Sequence, residues 1–479
     1  MNARVSAGAT VMALVAFPWA ARAQAPKTPP PAPAPAPMAM TVPVVAPMRG
    51  IHVHVPPVHV HVHVPRPHRS SEAGPDSSRV ARFLTAMGAS DPMVCEMAVN
   101  QLGNGWGWRG ASGGVGSFRD QPAAARAALD SMSNPVSDRR ALPLLSADLG
   151  APSACVRRAA ATMLGESGLA EAVQDLRTAY GASSGNVREA AAYGLGRAED
   201  SLSIDPLIRG LNESDPAVAT MSAWALGEIQ SPRAVPGLIR SLASNDAGLR
   251  ATAAYALGQI EDPRAVPALV ARLTDQSAAV RVLAAEALGQ IEDKGATGGL
   301  VTALSSDDLS LRLAAAEALG QIEDPAAVPG LLKALQDKNA GVRVAAAQAL
   351  GQIEDARAAG PLAQALNDPD PDVRLAAIEA LGQLDDVKQA PPQLVAALKS
   401  PTPEVRIKAA EALGRIEDPG TVAALGAAMS DSDVQVRLAA AEAMRQIDSD
   451  ATKPYFIAAM KDPNPEVRRT AAEALGERN

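Results

Sequence analysis

Val280–Asp293 reads VRVLAAEALGQIED, and Leu311–Asp324, 31 residues on, reads LRLAAAEALGQIED. The glycine of this string recurs at Gly165, Gly196, Gly227, Gly258, Gly289, Gly320, Gly351, Gly382, Gly414 and Gly476, with Arg445 in its place in one further copy. The spacing is about 31 residues, with one step of 32 into Gly414. A fixed period of that size marks stacked supersecondary units, each unable to bury its apolar face alone. Within one copy Val280, Ala284, Leu288 and Ile291 fall on one face of a helix. The expected fold is therefore all-α: a right-handed α-solenoid of about 11–12 helical hairpins, preceded by a disordered N-terminal region.

Two further columns explain where each helix starts. Eight residues before the glycine stands an arginine, from Arg157 to Arg468, broken only by Ala219. Four residues earlier stands Ser, Thr, Asp or Asn in every copy, from Ser153 to Asn464. Such side chains accept from the free N–H groups of a first helical turn. Proline follows at Pro216, Pro371, Pro403 and Pro465, the favoured first helical position. The Ile-Glu-Asp-Pro turn, as at Ile260–Pro263 and Ile322–Pro325, breaks the helix before the next hairpin.

The string Val280-Arg281, Ala284-Ala285-Glu286-Ala287-Leu288-Gly289 and its copies resemble the HEAT-repeat proteins, in the short form named after phycobilisome lyase subunits. The resemblance covers roughly Arg79 to Asn479 and implies a fold more than an activity. It implies that the arginines join an acidic ladder between repeats, with Asp275, Asp337, Asp368, Asp431 and Asp462 as acceptors, and so are structural. Deoxyhypusine hydroxylase is a HEAT-repeat enzyme of similar string, and the resemblance would place iron-binding His-Glu pairs just after the helix-start arginine. Here those positions hold Arg158, Glu189, Ala251, Val282, Leu313 and their like, and no histidine follows His68. A bilin lyase is a second family possibility, which export from the cytoplasm disfavours.

The N-terminal region reads in zones. Residues 1–23 are expected to be a signal peptide: Arg4, an apolar run from Ala7 to Phe17, then Ala21-Arg22-Ala23 before cleavage at Gln24. The run is too short to span a bilayer, and no other stretch is long enough. Together with the family style this fits a bacterial Sec-exported protein, periplasmic or secreted. Residues 24–50 form a Pro/Ala-rich linker. Residues 51–78 hold a His-rich segment and a polar link. His52, His54, His59, His61, His63 and His68 are all the histidines of the chain. Alternating with valine in an extended chain, His59, His61 and His63 share one side, a ligand set suited to Zn, Cu or Ni. The alternative is a segment that pairs with a β edge, or a tail without a role. Residues 79–140 read as a degenerate first repeat with a glycine-rich insertion around Trp106 and Trp108, and 141–479 as the repeat solenoid proper. Gly105, Gly107 and Gly110 match G-x-G-x-x-G, but no strand precedes them, which argues against a dinucleotide loop. Cys95 and Cys155 are either a disulfide or two buried thiols.

A net charge of −8 argues against nucleic acid as partner. Without an imidazole after His68, hydrolytic triads are excluded from the repeats, and the chain is expected to be a non-enzyme needing no cofactor. The informative column lies three residues before the glycine, on the exposed side of the second helix. It runs Thr162, Tyr193, Trp224, Tyr255, then Glu286, Glu317, Gln348, Glu379, Glu411, Glu442 and Glu473. Second helices in such solenoids usually line the concave surface. Aromatic anchors at one end and carboxylates along the rest suit a protein or peptide partner of basic character, bound by a monomer. The competing reading is that glutamate is simply a good exposed helix former. The other functional class is a metal-binding protein acting through the His-rich segment.

Overall fold

The computed structural model describes residues 77–88, 136, 138–384, 387–447 and 449–476, all within one compact unit, Arg49–Asn479. The signal, linker, His-rich and glycine-rich assignments lie outside the described residues.

A helix at Ser77–Gly88 packs on the first repeat. From Leu142 onward the described residues form eleven two-helix hairpins, stacked in chain order. Most first helices are a single 3-10 turn running into seven residues of α-helix, as Pro263–Ala265 into Val266–Arg272. Second helices run 11 to 14 residues, from Ala154–Glu166 to Pro465–Gly476. Each second helix packs on its own first helix and on the second helices before and after it. Three contact directions leave only a narrow exposed stripe, which is why these helices are so rich in alanine. In Ala278–Ile291 the residues Val280, Ala284, Ala285, Ala287, Leu288 and Gly289 are buried, Ile291 is half-buried and Glu286 and Gln290 are exposed.

The glycine column has a steric cause. A Cβ at Gly227, Gly258 or Gly351 would stand 2.8–2.9 Å from the Cα of Ala256, Ala287 or Ala380 in the next second helix. Backbone meets backbone there, and only glycine allows it. Gln290, Gln321, Gln352 and Gln383 lay their side-chain amides over Gly258, Gly289, Gly320 and Gly351 of the preceding repeat.

The turn between repeats also follows from its residues. Glu261, Glu292, Glu323, Glu354 and Glu417 adopt left-handed backbone, φ 50–57°, and end their helices there. The next aspartate, as Asp262, Asp293, Asp324 or Asp355, accepts from the N–H two residues on and starts the 3-10 turn.

The capping expectation holds for one residue class only. Asp215, Asp246, Asp308, Asn339, Asp370, Asp433 and Asn464 accept first-turn N–H groups. Ser153, Ser184, Ser277 and Thr402 occupy the same extended N-cap position without a side-chain bond.

The arginine ladder is structural, as the resemblance implied. Arg250 donates from Nε and Nη2 to Asp275 at 2.9 and 2.8 Å, and Arg343 to Asp368 at 2.8 and 2.7 Å. Arg312–Asp337, Arg406–Asp431 and Arg437–Asp462 repeat the pairing. Where Ser306 replaces the ladder aspartate, Arg281 turns to Asp308 instead. Each arginine also donates through Nη1 to the turn of its own hairpin, as Arg250 does to the carbonyls of Ser244 and Asn245. One guanidinium thus ties its own turn and the next repeat. Cys155 is disulfide-bonded; the only other cysteine is Cys95, which lies outside the described residues.

Candidate binding face

The second helices present one continuous layer whose exposed stripe carries three parallel rows. Helical spacing of four residues sets them side by side. The first row is apolar and half-buried: Val282, Leu313, Val344, Leu375, Ile407 and Leu438. The second is the column read from the sequence. The third is the glutamine row, Gln290 to Gln446, with Arg415 in place of one glutamine.

Within the second row exposure changes along the chain. Thr162 is buried, its hydroxyl donating to the Arg158 carbonyl, so the column does not begin on the surface there. Tyr193, Trp224 and Tyr255 are half-buried. Tyr193 and Trp224 stack, ring centroids 4.8 Å apart and planes 19° from parallel. The Arg158 guanidinium lies over the Tyr193 ring, 5.1 Å from its centroid. Such stacking and cation–π contact hold the two rings in place. Tyr255 does not join the stack; its hydroxyl donates to Glu228 at 3.1 Å. Burial pushes the Glu228 carboxyl above its usual range, against the Tyr255 hydrogen bond and the Arg197 charge. Burial, then the charge of Glu228, pushes the Tyr255 hydroxyl up as well. The expected aromatic triplet is therefore a stacked pair plus a tyrosine tied to a carboxylate.

Glu286, Glu317 and Gln348 are exposed, and Glu379, Glu411 and Glu442 half-buried. Partial desolvation of their carboxyl groups, whose side chains otherwise remain exposed, raises Glu286 and Glu317, and the charge of Glu317 raises Glu286 further. Further along, Lys408 stands between two members of the row, its Nζ 3.1 Å from Glu411 and 3.6 Å from Glu379. Burial works against the Lys408 charge, but the two carboxylates outweigh it and raise its pKa. Glu442 accepts from the Thr470 hydroxyl at 3.1 Å and pairs with Arg445 at 3.3 Å. Lys408 and the apolar row are contributions to this face that the column alone did not single out. Their signal was present, since both stand at fixed offsets from the helix-start arginine, but their direction is a matter of packing.

Among the described residues no group of three or more His, Cys, Asp or Glu side chains is arranged to hold a metal ion, and no helix is long and apolar enough to cross a membrane. The candidate ligands His52, His54, His59, His61 and His63 lie outside the described residues.

Comparison with known proteins bears on this architecture. The model of the HEAT repeats family matches in overlapping copies from residues 117–196 to 422–479, without a break between 117 and 479. No curated protein matches the chain. Among solved structures, Kap95p bound to RanGDP is similar at TM-score 0.51 and 14% identity, over 84% of this chain and 62% of that one. An engineered protein is similar at TM-score 0.42 and 24% identity, over 64% of this chain and 98% of that one. The CpcE–CpcF complex of phycocyanin lyase from Nostoc sp. PCC7120 is similar at TM-score 0.31 and 26% identity, over 44% and 87%.

Proposed function

The chain belongs to the HEAT-repeat family, and from that premise we propose that it is an exported scaffold whose second-helix face binds a protein or peptide of basic character. The observation that carries this reading is the pairing of rows: half-buried apolar side chains from Val282 to Leu438 run beside the carboxylates from Glu286 to Glu442. A segment with apolar and cationic side chains would satisfy both rows at once. The Tyr193–Trp224 stack closes one end of the face as an anchor already held in place. The fold supports the reading: Kap95p, similar in architecture, binds RanGDP. Export is supported by the signal-like first 23 residues and by the disulfide at Cys155, since such bonds persist in oxidising compartments.

The test uses a photo-crosslinking residue placed at Gln348, on the face, with a control at exposed Arg357 on the 3-10 turn of the opposite layer. Capture at position 348, lost in a Glu286→Lys/Glu317→Lys variant and absent at 357, is the expected result. Capture at 357 and not at 348 would overturn the assignment of the face.

A further inference from the structure

The second-helix face shows how it treats a cation. Lys408, two residues after the helix-start Arg406, is held by Glu379 and Glu411 from adjacent repeats at 3.6 and 3.1 Å. Three repeats earlier the same register holds Ala314, two residues after Arg312, between Glu286 and Glu317. The chain thus supplies its own ammonium to one pair of carboxylates and an alanine to the other. Glu286 accordingly feels the charge of Glu317. Beside this pair lie Val282, Leu313 and Val344, half-buried.

One segment of the chain has the complementary chemistry. Arg49–Arg69, outside the described residues, contains Arg49, Arg66, Arg69 and all six histidines, and no Asp or Glu. In extended form its valines and histidines alternate, so Val58, Val60, Val62 and Val64 face one way and His59, His61 and His63 the other. The second edge is imidazole, neutral near pH 7 and protonated as pH falls below about 6.5, so in mild acid the segment offers one apolar and one cationic edge to a surface with one apolar row and one acidic row. It is also long enough. Residues 70–76 span up to about 24 Å before the helix Ser77–Gly88, and 49–69 about 70 Å more. That helix packs on the second helix Ala154–Glu166, and second helices 8–10 Å apart put Glu286 roughly 40 Å away.

We propose that Arg49–Arg69 docks in cis on the second-helix face, its cationic edge between Glu286 and Glu317 and its valines along Val282, Leu313 and Val344. The segment then acts as an internal occupant that an outside ligand of like chemistry must displace. This rests on the same face as the proposed function, and the two fail separately. Crosslinking at Gln348 by a partner does not depend on docking in cis, and docking in cis does not depend on a partner.

The experiment measures modification of His59, His61 and His63 by diethylpyrocarbonate in the full chain, with chelator present to remove metal. The reference is a synthetic 49–69 peptide. The expected result, at about pH 6 where imidazoles are partly protonated, is at least about five-fold slower modification in the chain at low salt, reverting toward the peptide rate at about 0.5 M salt, where screening is strong. A Glu286→Gln/Glu317→Gln variant, neutral and near-isosteric at exposed positions, should revert it equally. Peptide-like rates in the unmodified chain, or protection untouched by the variant, would overturn the proposal. So would protection that grows with protein concentration, because the occupant would then come from a second copy.

Discussion

Replacing Gly227 by alanine tests the reason for the 31-residue period. The new Cβ would stand 2.8 Å from the Cα and 2.9 Å from the Cβ of Ala256 in the next second helix. Neither atom can swing aside, so the helices Pro216–Ile229 and Ala247–Ile260 must part by several tenths of an ångström along their contact. Alanine in a helix interior gains about 1 kcal/mol over glycine, while overpacking costs about 1–3 kcal/mol. With backbone as the obstacle the cost falls in the upper half, for a net loss of about 1–2 kcal/mol. Gly360→Ala is the matched control. Gly360 lies in the helix Ala359–Ala365 with nothing within 4 Å of its added Cβ, so only the propensity gain of up to about 1 kcal/mol remains. Urea midpoints should therefore move in opposite directions for the same chemical change. Repeat arrays can unfold in parts, so hydrogen exchange across 216–260 should show the loss locally. A Gly227→Ala chain as stable as Gly360→Ala, with unchanged exchange, would refute the steric account.

Arg343 and Asp368 are 13% and 12% exposed, so a double-mutant cycle with Met and Asn should give a coupling of about 1–3 kcal/mol; a value near zero would refute the ladder's role. The Arg250 and Arg343 hydrogen bonds hold Asp275 and Asp368 below the usual carboxylate value of 3.8. Their stabilisation is therefore complete above that value and lost as pH falls through the depressed folded values, so an acid melt should soften most steeply below about pH 4, and less so in the Arg343→Met chain. Glu323→Gly relieves a left-handed backbone of φ 50° and should raise the unfolding free energy by about 0.5–1 kcal/mol, read as a higher urea midpoint; a lower midpoint would mean that the Glu323 side chain holds the turn. Zinc titrated calorimetrically into the full chain and into one lacking 51–68 should give heat only with the segment present; equal heats would end the metal reading of His59, His61 and His63.

Much of the architecture was written locally in the sequence. The caps and the Ile-Glu-Asp-Pro turn act within about a dozen residues, and repetition made the arginine and glycine columns unmistakable, so Val280, Ala284 and Leu288 were readable as core. Even the ladder acceptors Asp275 and Asp368 stood at constant offsets. What depends on neighbours a repeat away was not readable. That Gly227 faces the Ala256 backbone, that Tyr193 stacks on Trp224 while Tyr255 turns to Glu228, and that Lys408 bridges Glu379 and Glu411 are facts of how successive helices rotate against each other. Thr162 shows the same limit: it shares the column of the exposed glutamates, yet it is 1% exposed. Period and helix type follow from short-range chemistry, which a sequence carries explicitly. Which side chains meet across the stack depends on small rotations summed over packed interfaces, and only the tertiary structure decides those.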